Sequence, residues 1–170
     1  KISAIKSFFK FLLKKGIVTS SPVHLLETPK LVKRLPVFVK EDDLSKLFSN
    51  DNFNNSIEGI RDQLIMTLFY QTGIRLSELI NIKEKDVGEN EIRVTGKRNK
   101  QRLIPLTPNL LNLINCYREE KNRLFGSCSY LILTDKGNKL YEKFVYRKVN
   151  SYLSLVSSKQ KKSPHILRHT

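Results

Sequence analysis

The chain has 170 residues, of which 39% are hydrophobic, and 31 Lys and Arg against 16 Asp and Glu give it a formal charge of +15. That length allows one ordinary domain, or one domain with part of a neighbour, and the apolar content supports a packed core rather than wholesale disorder. No apolar run approaches the ~18 residues of a membrane span, Lys1-Ile2-Ser3-Ala4-Ile5-Lys6 is no secretory leader, and Cys116 and Cys128 are too few for a disulfide framework or a thiolate metal site, so the sequence predicts a soluble, reduced, intracellular protein.

The first predicted element is an amphipathic helix over about residues 2–15, with Ile2, Ile5, Phe8, Phe9, Leu12 and Leu13 at helical spacing and Gly16 placed to end it. Pro22, Pro29 and Pro36, with Lys30, Lys33 and Arg34, then predict an extended basic linker over residues 17–37. Residues 1–16 are accordingly assigned to a different domain from residues 38–170. Glu41, Asp42 and Asp43 suit the first turn of a helix ending near Ser49, and an Asn-rich loop follows. A helix is expected from about Ile57 to Gln71, closed by Gly73, and a short one over Leu76–Ile82.

Glu91–Thr95 and Gln101–Leu106 alternate apolar and polar residues on either side of Gly96-Lys-Arg-Asn-Lys100, the pattern of a β-hairpin with a basic turn. Pro108 opens a helix to about Leu124. Tyr130–Leu133 reads as a further short strand and residues 141–156 as a helix, followed by a basic loop at Ser157–Lys162. Ser163 and Pro164 suit the N-cap and first position of a last helix, which Thr170 interrupts in its first turns. The fold class is therefore mainly α with a small antiparallel sheet (α+β). Without a starting Met, and broken off in mid-helix, the sequence is expected to be part of a longer protein.

Charge is unevenly distributed: residues 1–90 hold 14 basic and 11 acidic side chains, whereas residues 91–170 hold 17 and 5. Such a field suggests a polyanionic partner, nucleic acid before an anionic membrane surface, although a solvated basic face would give the same counts. Three local patterns carry chemistry. In Thr72-Gly-Ile-Arg-Leu-Ser-Glu-Leu79, Glu78 lies one helical turn beyond Arg75 and can orient its guanidinium. Lys97, Arg98 and Lys100 sit on the hairpin turn, with Arg102 just beyond. In Ser163-Pro-His-Ile-Leu-Arg-His169, His165 and Arg168 share a helix face, and Ile166 and Leu167 can pack inward. Taken singly, these read better as a surface ion pair, a solvated turn and a capping or contact His. No HExxH, CxxC or carboxylate cluster suggests a metal.

Together, Tyr70-Gln-Thr-Gly-Ile-Arg-Leu-Ser-Glu-Leu79, Val94-Thr-Gly-Lys-Arg-Asn-Lys-Gln-Arg-Leu-Ile-Pro-Leu106 and Ser163-Pro-His-Ile-Leu-Arg-His169 resemble, in order and spacing, the catalytic domain of tyrosine recombinases of the phage-integrase family, in particular their Xer-type chromosome-dimer-resolving branch. Residues 1–16 resemble the last helix of that family's N-terminal core-binding domain. The resemblance implies site-specific DNA cleavage and rejoining through a 3′-phosphotyrosyl intermediate, by protomers that form a tetramer on paired duplex sites in the cytoplasm, with no cofactor and no membrane. It implies catalytic roles for Arg75, Lys97, His165 and Arg168, a supporting role for Glu78, and DNA contacts from Arg98, Lys100 and Arg102.

Two members of the family site, a later His or Trp and the nucleophilic Tyr, are absent, and all six tyrosines precede His165. Residues 1–170 alone are thus expected not to cleave. Elementary chemistry fits these roles: guanidiniums neutralise the non-bridging oxygens of a phosphodiester under attack, a mobile ammonium protonates the leaving 5′-oxygen, and an imidazole accepts the nucleophile's proton. The alternative is a non-catalytic DNA-binding protein on the same fold. An RNA-binding protein would need stacking aromatics on the hairpin strands, and there are none.

Overall fold

The computed structural model describes residues 2–26, 39–49, 52–156 and 163–169, with the side chains of all of these but 168 and 169. Lys1–Leu35 and Pro36–Thr170 form two compact units. In the first, α1 (Ile2–Lys14) is followed by Gly16 in the left-handed region at φ 67°. The apolar stripe exists as predicted, but no residue of α1 is buried, and Ile5, Phe8, Phe11 and Leu13 are exposed. Residues 27–37 of the expected linker, and the basic loop at 157–162, lie outside the described residues.

The second unit is built around α3 (Ile57–Thr72), where Leu64, Ile65, Met66, Leu68 and Phe69 are all buried. A helix buried all round needs neighbours on several sides. They are α5 (Pro108–Phe125), α6 (Glu142–Val156) and α7 (Pro164–His169), while α2 (Glu41–Leu47) packs on α6. Side-chain oxygens start two of the helices: Ser56 accepts from the Gly59 N–H at 3.2 Å and Thr107 from the Leu110 N–H at 3.3 Å. Gly73, at φ 57°, ends α3 and turns the chain into α4 (Leu76–Leu79). The short helix stops at Leu79, earlier than predicted, because the N–H groups of Asn81 and Ile82 donate to the carbonyls of Glu78 and Leu79, three residues back, in tighter turns.

β1 (Glu91–Thr95) and β2 (Gln101–Pro105) pair antiparallel in a two-stranded sheet, with Val94 opposite Arg102 and Thr95 opposite Gln101. Mainly helical with one small antiparallel sheet is the class read from sequence. The expected strand at Tyr130–Leu133 is not one. Leu131, Ile132 and Leu133 are all buried, and the segment makes only isolated bridges, Tyr130 with Lys83 and Leu133 with Lys139. Its backbone groups go elsewhere: the Leu131 N–H donates to Ile82 O, the Leu133 N–H to the Tyr117 hydroxyl at 3.1 Å, and Lys121 Nζ donates to the carbonyls of Tyr130 and Leu131, both at 3.1 Å. With these groups bonded to side chains and a loop, no ladder forms.

Candidate active site

Arg75 follows the left-handed Gly73 by two residues and is the N-cap of α4, where its N–H donates to Glu78 Oε2 at 2.9 Å. This bond sets the Glu78 carboxylate directly beneath the Arg75 side chain, and Nη1 donates to Oε1 at 2.8 Å. The partner predicted from the i, i+3 spacing is therefore the partner found. The Glu78 side chain is only 1% exposed, while that of Arg75 is 49% exposed.

The hairpin brings the remaining cations. The five residues expected between the strands, Gly96–Lys100, are the ones found: the Gly96 N–H donates to Lys100 O at 2.8 Å, and within the turn Arg98 (φ 59°) and Asn99 (φ 58°) occupy left-handed conformations. Lys97–Asn99 lie between the bonded Gly96 and Lys100, and the Lys100 N–H, donating to Lys97 O at 3.4 Å, closes a turn with Arg98 and Asn99 at its tip. Lys97 and Lys100 thus flank the tip rather than form it, and the exposed Arg98 stands at its apex. Arg102 shares its strand parity with the buried Ile104 and lies opposite the buried Val94, so it faces inward, and its Nη2 donates to Glu78 Oε2 at 2.9 Å.

Sequence reasoning missed this second bond, although a charged residue on the inward parity of a strand is a signal that it requires a buried partner. Burial would raise the Glu78 pKa, but the Arg75 N–H and the guanidiniums of Arg75 and Arg102 outweigh it and hold the carboxyl below its ordinary value.

Arg75, Glu78, Gly96, Lys97, Lys100 and Arg102 line one cavity of about 310 Å³. Four cations around a carboxylate that is already bonded to two of them leave a surplus of positive charge, suited to an oxyanion such as a phosphodiester. Arg98 and His165 are not among its lining residues, and neither is any tyrosine. His165 is exposed on α7, whose Ile166 and Leu167 are buried, as their spacing predicted. Each such side chain contributes roughly 1.5–3 kcal/mol, which anchors a helix too short to hold alone. Arg168 lies on the same helix, and its side chain is outside those described. A larger groove of about 660 Å³, lined from Phe48 and Tyr70 to Leu113 and Cys116, has no charged side chain and shares no residue with the cationic cavity.

Residues 38–170 match the profile of the phage integrase family. The chain belongs to that family. It is 35% identical over 194 residues to tyrosine recombinase XerC of Chlorobaculum parvum and 37% identical over 173 residues to tyrosine recombinase XerC of Staphylococcus epidermidis. Each alignment covers the whole chain and 58% of the relative, so the chain spans under two-thirds of the curated relatives' length. Among solved structures it is similar to the XerH site-specific recombinase bound to difH substrate in a pre-cleavage complex, with 25% identity, 85% of this chain and 44% of that one covered, and a TM-score of 0.68. The phage integrase family thus accounts for both the motifs and the fold. Among the described residues no helix is long and apolar enough to cross a membrane.

Proposed function

We propose that residues 38–170 are most of the catalytic domain of a site-specific DNA recombinase that cuts and rejoins strands through a 3′-phosphotyrosyl link. The observation that carries this reading is the cavity in which Arg75, Lys97, Lys100 and Arg102 surround one buried carboxylate. A tyrosine oxygen attacks the phosphorus, the P–O5′ bond breaks, and negative charge builds on the two non-bridging oxygens. Arg75 and Arg168 neutralise that charge, Glu78 holds Arg75 in place, Lys97 delivers a proton to the leaving 5′-oxygen, and His165 takes the proton of the tyrosine.

The phosphotyrosyl bond conserves the energy of the phosphodiester, so the cycle requires neither ATP nor a metal. Arg98 and Lys100 extend the positive surface along the DNA backbone. The nucleophile is a tyrosine outside residues 1–170, since none of the six present lines the cavity. The exposed apolar face of α1 fits the last helix of an N-terminal DNA-binding domain joined by the linker at 17–37. The partners are duplex DNA and further protomers, as a tetramer on paired sites, on the nucleoid in the cytoplasm.

The lack of a tyrosine at the cavity also favours a second reading, a DNA-binding protein that does not cleave. The full-length protein, incubated with a nicked suicide duplex carrying its target site, separates the two. A covalent adduct mapped to a tyrosine beyond residue 170 is expected. Tight binding without an adduct would establish the second reading, and an adduct at any of the six tyrosines would overturn our placement of the nucleophile.

A further inference from the structure

Glu78 is the point at which three elements of the site meet. Its Oε1 holds Arg75 Nη1 at 2.8 Å, and its Oε2 receives both the Arg75 N–H and Arg102 Nη2 at 2.9 Å. Gly96, the first residue of the turn that carries Lys97, lies against the same carboxylate: a Cβ there would come within 3.2 Å of Oε1. We infer that Arg102 is a positioning residue, which ties β2 to the start of α4 through Glu78 and so fixes the distance between Arg75 and Lys97, and that it does not itself contact DNA.

Arg102 stands on the inward parity of β2, opposite the buried Val94, and its one ionic partner among the described residues is a carboxylate that is 1% exposed. A carboxylate so deeply buried must be fully bonded, since a buried charge that loses one of two cations is strongly destabilised or takes up a proton. Without Arg102, Glu78 therefore loses its tether to the hairpin, and Arg75 and the Lys97 turn move independently. The reaction needs both cations on one phosphodiester at once, Arg75 on a non-bridging oxygen and Lys97 at the 5′-oxygen. A displacement of about 1 Å between them costs up to about 10²-fold in rate. The rival is a direct contact, since 41% of the Arg102 side chain is exposed at the cavity.

The catalytic part of this inference rests on the recombinase reading, whereas the DNA-contact part does not. The test uses the full-length protein with two substitutions, Arg102→Ala and Gly96→Ala. Gly96→Ala removes no charge and, at φ −95°, puts no strain on the backbone, but presses a methyl group toward Glu78 Oε1. Affinity for a mixed-sequence duplex is measured against salt, and single-turnover cleavage on a suicide duplex. We expect both substitutions to slow cleavage on the order of 10- to 100-fold while the salt slope stays at the wild-type value.

In a Glu78→Gln background, Arg102→Ala should add less than about twofold, because both act on one device. A slope that falls by about one with Arg102→Ala, together with a full multiplicative loss in the Glu78→Gln background, would overturn the inference and make Arg102 a phosphate contact. The slope requires binding alone. A wild-type protein that binds but never cleaves refutes the recombinase reading, and the slope still decides whether Arg102 touches DNA.

Discussion

Glu78 and Glu84 each bridge two cations, and the two arrangements face opposite ways. At the hairpin the anion is inside: Glu78 is 1% exposed, while Arg75 and Arg102 keep 49% and 41% of their side chains exposed. Beside the Tyr130–Leu133 segment the cation is inside: Lys121 is fully buried and bonded to Glu84, which also takes Arg118 Nε at 2.7 Å. In the first arrangement the negative charge is neutralised from within and guanidinium edges line an open cavity, ready for a second anion. In the second, the Lys121 ammonium directs its hydrogens to Glu84 and to the carbonyls of Tyr130 and Leu131, so nothing is left for a ligand. The same residue types thus make a binding surface in one place and a structural clamp in the other. Burial of the anion or of the cation decides which.

Breaking the clamp should give the larger effect. Lys121→Ala removes a buried ammonium together with its bonds to two carbonyls and a carboxylate, and should cost about 3–5 kcal/mol of stability. Denaturant unfolding of the full-length protein reads this, and cleavage per folded molecule should hardly change. A loss below about 1 kcal/mol would place Lys121 among ordinary surface ion pairs. Arg75→Ala should reverse the pattern: cleavage should fall about 10²- to 10³-fold, equivalent to about 2.7–4 kcal/mol of barrier, with a smaller loss of stability than Lys121→Ala, because Glu78 keeps Arg102 and the backbone N–H of residue 75, and only a small loss of DNA affinity. Equal losses in binding and cleavage would reduce Arg75 to a DNA anchor.

The smallest effect concerns pH. Glu78 titrates below its ordinary value of 4.5 in the folded protein, so its contribution to stability is fully present above that value and is lost as pH falls through the depressed folded pKa. Glu78→Gln should therefore flatten the acid limb of the stability curve below about pH 4.5 and leave its neutral shape unchanged. An unaltered acid limb would mean that the two guanidiniums do not hold the ionised form.

Local signals were legible in the sequence wherever the chain satisfies itself nearby. The alternation in Glu91–Thr95 and Gln101–Leu106 located the hairpin, Gly73 located the end of α3, and the i, i+3 spacing located the Arg75–Glu78 pair. The inward pair Ile166 and Leu167 was read the same way. What failed depends on partners distant in sequence. Lys121, which no local pattern singled out, finds its partner in Glu84, 37 positions earlier. Leu131–Leu133 has the apolar run of a buried strand, but its hydrogen bonds go to Ile82, Tyr117 and Lys121, so the strand was misread. The bond from Arg102 to Glu78 spans 24 residues and was not foreseen beside the DNA contact that the family resemblance implies for Arg102. Periodicity reports which face is buried and carries no information about which buried group will be there.

The central claim is that the cation cluster performs strand cleavage, with Lys97 protonating the leaving oxygen. Its most direct test compares cleavage by the full-length protein on ordinary DNA with cleavage of a substrate whose bridging 5′-oxygen is replaced by sulfur, a leaving group that needs little protonation. Lys97→Ala should be strongly impaired on the oxygen substrate and largely rescued on the sulfur one. Arg75→Ala should stay impaired on both, because charge on the non-bridging oxygens still develops, and Lys100→Ala should show no selective rescue. Failure of sulfur to rescue Lys97→Ala, or rescue of Lys100→Ala in its place, would contradict the account.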